Sequence, residues 1–260
     1  MANDRDIESS IRRRLNTRFV GRHLHYYYEL PTTMETARQL AKNGATEGTM
    51  VIAGTQTAGR GRLSRTWLSP EGSLAMSVIF KPALKNLPKL IMIASLAVVK
   101  TIRQVTGLKS QIKWPNDVML KGKKVCGILI ENEVKGSQVN FAIIGIGINV
   151  NFNPLDFPEI ADIATSLSYE AGMEISNVVL ASTLLEELER LYLETQSGAP
   201  VHRAWQENME TLGKRIKVNT GKTTECGKAE TVTENGNLIL RRADGSLAEI
   251  VVGDVTIIKD

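Results

Sequence analysis

The sequence of 260 residues predicts an α+β fold, in which a mixed, largely antiparallel sheet with flanking helices precedes a small C-terminal β-barrel. Three observations support this prediction. Apolar runs joined by tight turns fill residues 117–149, as antiparallel strands require. Segments 87–106 and 177–196 have the apolar periodicity of helices. The last 47 residues change to short β-type runs separated by the hairpin dipeptides Asn235-Gly236 and Asp244-Gly245.

The first elements alternate between strands and a helix. Alternating residues from Leu24 to Leu30 predict a strand. A helix follows, because Thr32 and Glu35 have the spacing of a capping box and Gly44 suits the position after its end. Further short strands are predicted at Met50–Ala53 and Ser73–Phe80. The long aperiodic segment 54–72 between them is predicted to be a loop, of the kind that is usually functional.

The remaining elements follow the same logic. An apolar helix is predicted from Leu87 to Thr106, closed by Gly107. Antiparallel strands are expected at Asp117–Leu120, Lys124–Glu133 and Gln138–Asn149. An acidic amphipathic helix from Asn177 to Gln196 and a shorter helix from Val201 to Met209 come next. We therefore expect a large domain over residues 1–213 and a small β domain over residues 214–260.

The composition excludes several classes of protein. With 42% hydrophobic residues, 23% charged residues and a net charge of +4, the chain does not have the composition of a disordered protein. Its longest apolar stretch, Leu90 to Val99, is about half the length of a membrane span. No apolar run follows the N-terminal arginines, so no secretory signal is expected. We expect a soluble, cytoplasmic protein that does not act at a membrane.

The two cysteines, Cys126 and Cys226, are too far apart in sequence to suggest a shared site. Neither has the neighbouring Cys or His residues of a zinc site, and one pair does not make a disulfide framework. We expect both thiols to be buried.

The modest net charge conceals an uneven distribution. Residues 48–130 contain 13 basic residues against two acidic ones, Glu71 and Asp117, whereas residues 131–213 contain 3 basic and 13 acidic residues. The first of these segments is therefore predicted to attract an anion, either a nucleic acid or a small ligand that carries phosphate.

The predicted loop alternates glycine and arginine as Gly59-Arg60-Gly61-Arg62 and continues to Arg65 and Trp67. Glycine lets the backbone approach a ligand closely, and guanidinium groups donate to carboxylate or phosphate oxygens. The spacing of a Walker A loop is absent, and Gly145-x-Gly147 alone does not indicate a dinucleotide site. The loop is predicted to bind an anion, with a solvated, flexible loop as the alternative.

A second motif, Lys113-Trp114-Pro115-Asn116-Asp117, is followed seven residues later by Lys124. Asp117 and Lys124 lie on consecutive predicted strands joined by a tight turn, so their side chains can converge at one end of the hairpin. Taken singly, each has a structural interpretation, since Asn-Asp pairs cap turns and lysines flank strands.

Together these motifs resemble the catalytic core of the biotin protein ligase family. The resemblance runs from about His23 to the C-terminus. It is carried by Gln56 with Gly59–Arg62, by Arg65-Thr66-Trp67, by Lys113–Asp117, by Lys124–Glu131 and by Gly145–Asn151. Two departures are Met34, where the family usually has asparagine, and Ser64, where it usually has glycine. The resemblance implies the biotin/lipoate ligase catalytic fold with an SH3-like C-terminal barrel.

The resemblance also implies a two-step activity. Biotin and ATP give biotinyl-5′-AMP and pyrophosphate, and a lysine of a biotin carboxyl carrier domain then attacks the adenylate. The first step brings two anions together, so cationic donors are needed. The long arginine loop is expected to close over the adenylate and exclude water.

Residues that match the family's motifs are assigned accordingly. Those expected to bind biotin are Thr32, Thr33, Gln56, Arg60, Gly61, Arg62, Lys124 and Gly127. Those expected to bind ATP are Arg62, Arg65, Trp67, Asn116, Lys124 and Asn149. Lys124, Arg62 and Asp117 are the catalytic candidates. Asp117 is expected either to hold Mg²⁺ or to orient and deprotonate the incoming lysine, and the sequence does not decide between these roles.

Two other functions compete with this interpretation. A lipoate ligase would share the adenylation chemistry, but the Gly-Arg-Gly-Arg loop and the β-rich tail favour biotin. A biotin-responsive DNA-binding repressor is disfavoured, because only about 30 residues precede Thr32, too few for a winged helix-turn-helix module. We therefore expect a carrier domain as partner and no nucleic acid, and a homodimer is left open.

Overall fold

The computed structural model describes residues 4–221 and 223–258. The α-helices are α1 (Asp4–Arg14), α2 (Thr33–Lys42), α3 (Leu90–Thr106), α4 (Leu167–Ala171), α5 (Asn177–Gln196) and α6 (Val201–Glu207). The strands are β1 (Leu24–Leu30), β2 (Met50–Gln56), β3 (Leu74–Phe80), β4 (Gln111–Lys113), β5 (Asp117–Leu120), β6 (Lys123–Lys135), β7 (Gln138–Ile148), β8 (Arg215–Asn219), β9 (Thr224–Val232), β10 (Leu238–Arg241), β11 (Leu247–Ile250) and β12 (Asp254–Ile257). Short 3₁₀ helices lie at Arg62–Ser64, Leu84–Lys89 and Pro154–Asp156.

A seven-stranded sheet in the order β1-β2-β3-β7-β6-β5-β4 forms the centre of the large domain. Only the pair β1 and β2 is parallel among these strands, and the other neighbours are antiparallel. The parallel pair is joined through α2, because parallel neighbours need a crossover, usually a helix. The predicted mixed, largely antiparallel sheet is therefore confirmed.

Helix α2 begins where the sequence predicts. The Thr32 side chain caps the helix by accepting a hydrogen bond from the Met34 amide, and Gly44 follows the last turn with φ of +86°. The capping places the first turn of α2 beside the carboxyl end of β2. As shown below, this is one wall of a pocket.

The sheet separates two apolar layers. On one face, α3 and α5 cover the larger core, which includes Ile144, Ile146 and Ile148 of β7. On the other face, α2 packs on a smaller cluster that includes Ile143 and Phe141. The alternation along β7 sends successive side chains to opposite faces. Both faces of this strand are thus buried, which holds the backbone of the pocket floor in place.

The C-terminal residues form a second, five-stranded antiparallel sheet in the order β11-β10-β9-β8-β12. Its turns contain Gly236 and Gly245 with φ of +84° and +83°, as the two predicted hairpin dipeptides require. The small C-terminal β domain is therefore present as expected.

Three expectations need correction, and two short elements were not predicted. The helix predicted from Leu87 begins at Leu90, because the preceding turn is 3₁₀ and contains Pro88. The last helix ends at Glu207 rather than Met209. Strand β4 and helix α4 were not predicted, since both are too short to show a periodicity. Cys126 is buried as expected, but Cys226 is exposed.

Membrane insertion can be assessed from the helices of residues 4–221 and 223–258. None of them is both long and apolar enough to cross a membrane. The apolar α3 is buried in the core instead, covered by α5 and α6.

Candidate active site

A cavity of about 400 Å³ opens between α2, the arginine loop, the β6–β7 pair and the start of β12. Its walls include every one of the predicted site residues, namely Thr32, Thr33, Gln56, Arg60, Gly61, Arg62, Arg65, Trp67, Asn116, Asp117, Lys124, Gly127 and Asn149. Residues far apart in sequence thus converge on one pocket. Their individual roles remain predictions.

The end of the pocket at the start of α2 carries neutral polar groups in fixed positions. The Gln56 Oε1 atom accepts from the Thr33 amide at 2.8 Å and from the Thr33 hydroxyl at 3.2 Å. The Ser77 hydroxyl donates to Thr33 Oγ1 at 2.8 Å. Thr32 and Thr33 are both buried. These bonds orient an amide and hydroxyl groups that can recognise an uncharged polar ligand.

The arginine loop is folded back on itself. The Gly61 amide donates to the Arg65 carbonyl at 2.7 Å, and the Trp67 amide donates to the Gly59 carbonyl at 2.9 Å. A Cβ atom at Gly59 would lie 2.4 Å from the Trp67 carbonyl oxygen, so glycine is required there. Leu63 at the tip has φ of 53° and is exposed. The loop therefore forms an irregular hairpin that brings its arginines to the pocket.

Arg62 reaches across the pocket to two other parts of the chain. Its Nη1 donates to Asn116 Oδ1 at 2.8 Å, and its Nη2 donates to the Gly253 carbonyl at 3.3 Å. Nη1 also lies 3.8 Å from Asp254 Oδ1. Burial lowers the pKa of the Arg62 guanidinium, and the carboxylates of Asp254 and Asp117 oppose this effect. Asn116, in turn, donates to the Ile128 carbonyl at 2.8 Å.

Lys124 and Asp117 converge as the hairpin predicts. Lys124 Nζ lies 2.7 Å from Asp117 Oδ1. The same ammonium group lies 5.3 Å from the centre of the Trp67 ring, within the range of a cation–π interaction. The amine is therefore held at the pocket floor by a carboxylate and an aromatic face.

Trp67 lies on a floor made of glycines. Gly127 and Gly147 are register partners on β6 and β7. A Cβ atom at Gly127 would lie 2.9 Å from Trp67 Cζ3, and one at Gly147 would lie 2.5 Å from Trp67 Nε1. The indole Nε1 is buried and has no hydrogen-bond partner within the described part of the chain. The ring fits because both positions lack a side chain.

Asn149 lies in the pocket wall, and its amide nitrogen is engaged by the backbone. Its contact with ATP stays a prediction. Asn149 Nδ2 donates to the Thr165 carbonyl at 2.9 Å and approaches the Lys124 carbonyl at 3.5 Å. The Thr165 amide donates to the Lys124 carbonyl at 2.9 Å, and the Lys124 amide donates to the Ile163 carbonyl at 2.9 Å. Asn149 thus supports the segment that fixes the Lys124 backbone.

Asp254 and Met34 are among the residues of the pocket wall to which the sequence assigned no role. Asp254 lies on β12 of the C-terminal sheet, and its carboxylate meets Arg65 Nη2 at 2.5 Å. Met34 is buried with its Sδ against Gly145, where a Cβ atom would lie 2.5 Å from the sulfur. For Asp254 no local spacing signal exists, since 189 positions separate it from Arg65.

Comparison with known proteins relates this pocket to a family. Residues 26–149 match the biotin/lipoate A/B protein ligase family, and residues 211–257 match the biotin protein ligase C-terminal domain. The bifunctional ligase/repressor BirA of Bacillus subtilis (strain 168) is 42% identical over 244 residues, which is 92% of this chain and 75% of that protein. The biotin--[acetyl-CoA-carboxylase] ligase of Paracoccus denitrificans is 33% identical over 211 residues, which is 78% of this chain and 88% of that protein.

A solved structure extends the likeness to the fold. The biotin protein ligase from Aquifex aeolicus in complex with biotin and ATP aligns with a TM-score of 0.79 at 29% identity, covering 92% of this chain and 100% of that one. This match and the C-terminal family domain confirm the predicted fold class, with its SH3-like C-terminal domain. The chain belongs to the biotin protein ligase family.

Proposed function

We propose that this chain is an ATP-dependent biotin protein ligase. It activates biotin to biotinyl-5′-AMP with release of pyrophosphate, and then transfers biotin to a lysine of a biotin carboxyl carrier domain. One observation carries the proposal: a single pocket combines the cations of Arg62, Arg65 and Lys124 with fixed polar groups at Thr33 and Gln56. A carboxylate and a triphosphate need cations between them, and a neutral ureido ring needs oriented donors and acceptors.

In the first step, the biotin carboxylate attacks the α-phosphorus of ATP and pyrophosphate leaves. We assign Arg62 and Lys124 to the meeting point of the two anions, because both side chains are largely withdrawn from solvent. Arg65, whose side chain is 66% exposed, is assigned to the outer phosphates. Charge that develops on the bridging oxygen is stabilised by donors already in place, which is where electrostatic catalysis is strongest.

In the second step, the amine of the acceptor lysine attacks the biotinyl carbonyl, and AMP leaves. The amine must lose a proton, and Asp117 is the carboxylate at the pocket floor. Its bond to Lys124 holds it in place at 2.7 Å. We propose that Asp117 orients the incoming amine and accepts its proton after Lys124 has turned to the adenylate.

Magnesium is proposed to accompany the triphosphate. In the described residues no group of three or more His, Cys, Asp or Glu side chains is placed to hold a metal. Mg²⁺ commonly binds through one or two carboxylates together with substrate phosphates, so Asp117 fits this pattern. The ion would neutralise charge on the phosphates.

Exchange of radiolabelled pyrophosphate into ATP tests the first step. We expect exchange that requires biotin and is much slower with lipoate in its place. Exchange that is driven equally well by lipoate, or that occurs without either acid, would reject the proposal. Mass spectrometry of the reaction mixture identifies the acyl-adenylate that is formed.

Incubation with a purified carrier domain tests the second step. The acceptor should gain the mass of one biotinyl group in the presence of ATP, and its Lys-to-Arg variant should gain none.

Because the reaction needs ATP and an intracellular carboxylase, we propose a cytoplasmic location. The division into a catalytic domain of residues 1–213 and a domain of residues 214–260 is also proposed. Titration of a labelled operator duplex and sedimentation analysis would examine the repressor and homodimer alternatives.

A further inference from the structure

Asp254 is an acidic residue in the wall of a pocket whose ligands are predicted to be anions. Its carboxylate contacts two arginines of the loop, Arg65 Nη2 at 2.5 Å and Arg62 Nη1 at 3.8 Å. The preceding carbonyl, of Gly253, accepts a hydrogen bond from Arg62 at 3.3 Å. One corner of the C-terminal sheet thus binds both guanidinium groups.

This corner of the sheet is closely packed, whereas the side chain of its partner Arg65 is largely exposed. Asp254 pairs with Asn219 at the start of β12. A Cβ atom at Gly253 would lie 2.6 Å from Val218 Cγ1, so the backbone packs closely on β8. The Asp254 side chain is only 25% exposed, but that of Arg65 is 66% exposed at the edge of the pocket. Arg65 can therefore change partner without disturbing the sheet.

We propose that Asp254 pairs with Arg65 and Arg62 before ATP binds and competes with ATP for Arg65, so that the triphosphate must displace its carboxylate from that guanidinium group. The inference rests on the proposed function, because it takes ATP as the incoming anion. A carboxylate and a phosphate offer the same acceptor oxygens to a guanidinium group, so they compete for it. The second acidic residue of the pocket, Asp117, is engaged by Lys124 instead.

The competition has a measurable consequence. The Arg65–Asp254 pair must be broken before the phosphates bind, so the pair weakens ATP binding by its own stability. Partly exposed ion pairs are worth a factor of about two to five in an equilibrium constant. Asp254→Asn removes the charge with little change of shape, and it is expected to lower the Kd for ATP by about two- to five-fold.

Calorimetric titration with ATP and with inorganic triphosphate measures this effect in the full chain. Binding of triphosphate measures the affinity of the arginines for phosphate without biotin and without catalysis. The measurement is therefore valid even if the chain proves not to be a biotin ligase. Asp254→Ser, which also removes the charge, should give the same tighter binding. Asp254→Glu keeps a carboxylate and should restore weaker binding. The gain should shrink at high salt, since exposed charges are screened.

Two controls separate this role from a general charge effect. Glu230→Gln removes a carboxylate on β9 that pairs with Arg241, on the same sheet but outside the pocket walls, and should leave the Kd unchanged. In an Arg65→Gln background, Asp254→Asn should have a smaller effect, because only the longer contact with Arg62, at 3.8 Å, remains. Unchanged or weaker triphosphate binding by Asp254→Asn and Asp254→Ser, or an equal gain in Glu230→Gln, would overturn the proposal.

Discussion

The Lys124 side chain is bound to Asp117 and can also reach an anion that enters the pocket. Its ammonium group is bound by Asp117 at 2.7 Å and lies over the Trp67 ring at 5.3 Å. Its backbone is fixed on both sides by the segment at Ile163 and Thr165. The flexible side chain can therefore reach a new anion while its origin stays in place, as a point charge on a long stem allows.

Replacement of Lys124 by alanine should reduce formation of the adenylate by about 10²- to 10³-fold, the usual effect of losing one donor at a developing charge. The fold should be retained, because the lost side chain lies at a pocket surface. Biotin-dependent pyrophosphate exchange and far-UV circular dichroism measure the two properties. Lys100→Ala removes the same charge from an exposed site on α3 and serves as the control. A Lys124→Ala rate within ten-fold of wild type would contradict the assignment.

The two thiols should differ sharply in reactivity. Burial raises the pKa of the Cys126 thiol, so the reactive thiolate is scarce, while Cys226 is exposed. At pH 8 a thiol reagent should modify one cysteine of the native protein rapidly and both cysteines in denaturant. The Cys226→Ser variant should then show almost no rapid reaction. Rapid modification of two thiols in the native protein would show that β6 opens.

At this scale the sequence predicts residues that act through a local motif. Short sequence motifs that indicate their chemistry contain Arg62, Asp117 and Lys124. All three residues lie in the pocket wall. Asp254 belongs to no motif, because its contact with the arginine loop exists only when folding brings β12 beside that loop. Asn149 is in a motif, but the residues do not reveal that its amide group faces the backbone.

The β6–β7 pair is the element on which the pocket depends. Its facing glycines, Gly127 and Gly147, leave room for the Trp67 ring, and Gly145 leaves room for Met34. Large β-branched residues fill the neighbouring positions, so the two strands are well packed. The glycines leave a shallow depression on the face of the strands that lines the pocket.

A methyl group on this floor should displace the indole ring. In Gly147→Ala the new Cβ would lie 2.5 Å from Trp67 Nε1, so the indole ring must shift to make room for it. We expect at least about ten-fold weaker ATP and biotin binding, by titration, because the ring lies in the pocket wall beside Lys124. Gly147→Ala combined with Trp67→Phe should recover part of the affinity, since phenylalanine is smaller. No recovery would mean that the glycine acts in another way.

Elements with strong periodicity or clear caps are those that the sequence predicts well. Strand β1 and helix α5 were predicted with their observed bounds, and α2 begins at its predicted cap. The short β4 was missed because three residues give no period. Pairing of β1 with β2 depends on packing at long range and could not be derived from either strand alone.

At the scale of the whole molecule, the two sheets share one apolar core. Trp114 Nε1 of the large domain donates to the Gly236 carbonyl at 2.9 Å, and Gly236 packs against Met92 and Trp205. The same buried cluster continues through Ile216 and other side chains of the C-terminal strands. The small domain is thus attached by packing as well as by the chain, which keeps Asp254 at the arginine loop.

The shared core predicts a single cooperative unfolding transition. All three tryptophans lie before residue 213, and two of them, Trp114 and Trp205, also contact the turn at Gly236. Their fluorescence therefore reports on the large domain and its junction with the C-terminal sheet, and a dye on Cys226 reports on that sheet itself. In urea, both signals should change together. Trp114→Phe loses the partly buried bond to the Gly236 carbonyl, which should lower the free energy of unfolding by about 0.5 to 1.5 kcal/mol for both probes.

The matched variant is Trp205→Phe, which loses an equivalent indole bond, to Ser95 Oγ at 2.8 Å, within the large domain. If the two sheets unfold as one unit, the dye on Cys226 must register this distant loss as fully as the tryptophans do. A dye transition that is unmoved by Trp205→Phe, or that precedes the fluorescence change in the wild type, would show that the small domain unfolds alone. In that case Asp254 would lose its rigid support, and its hold on the arginine loop would weaken independently of the large domain.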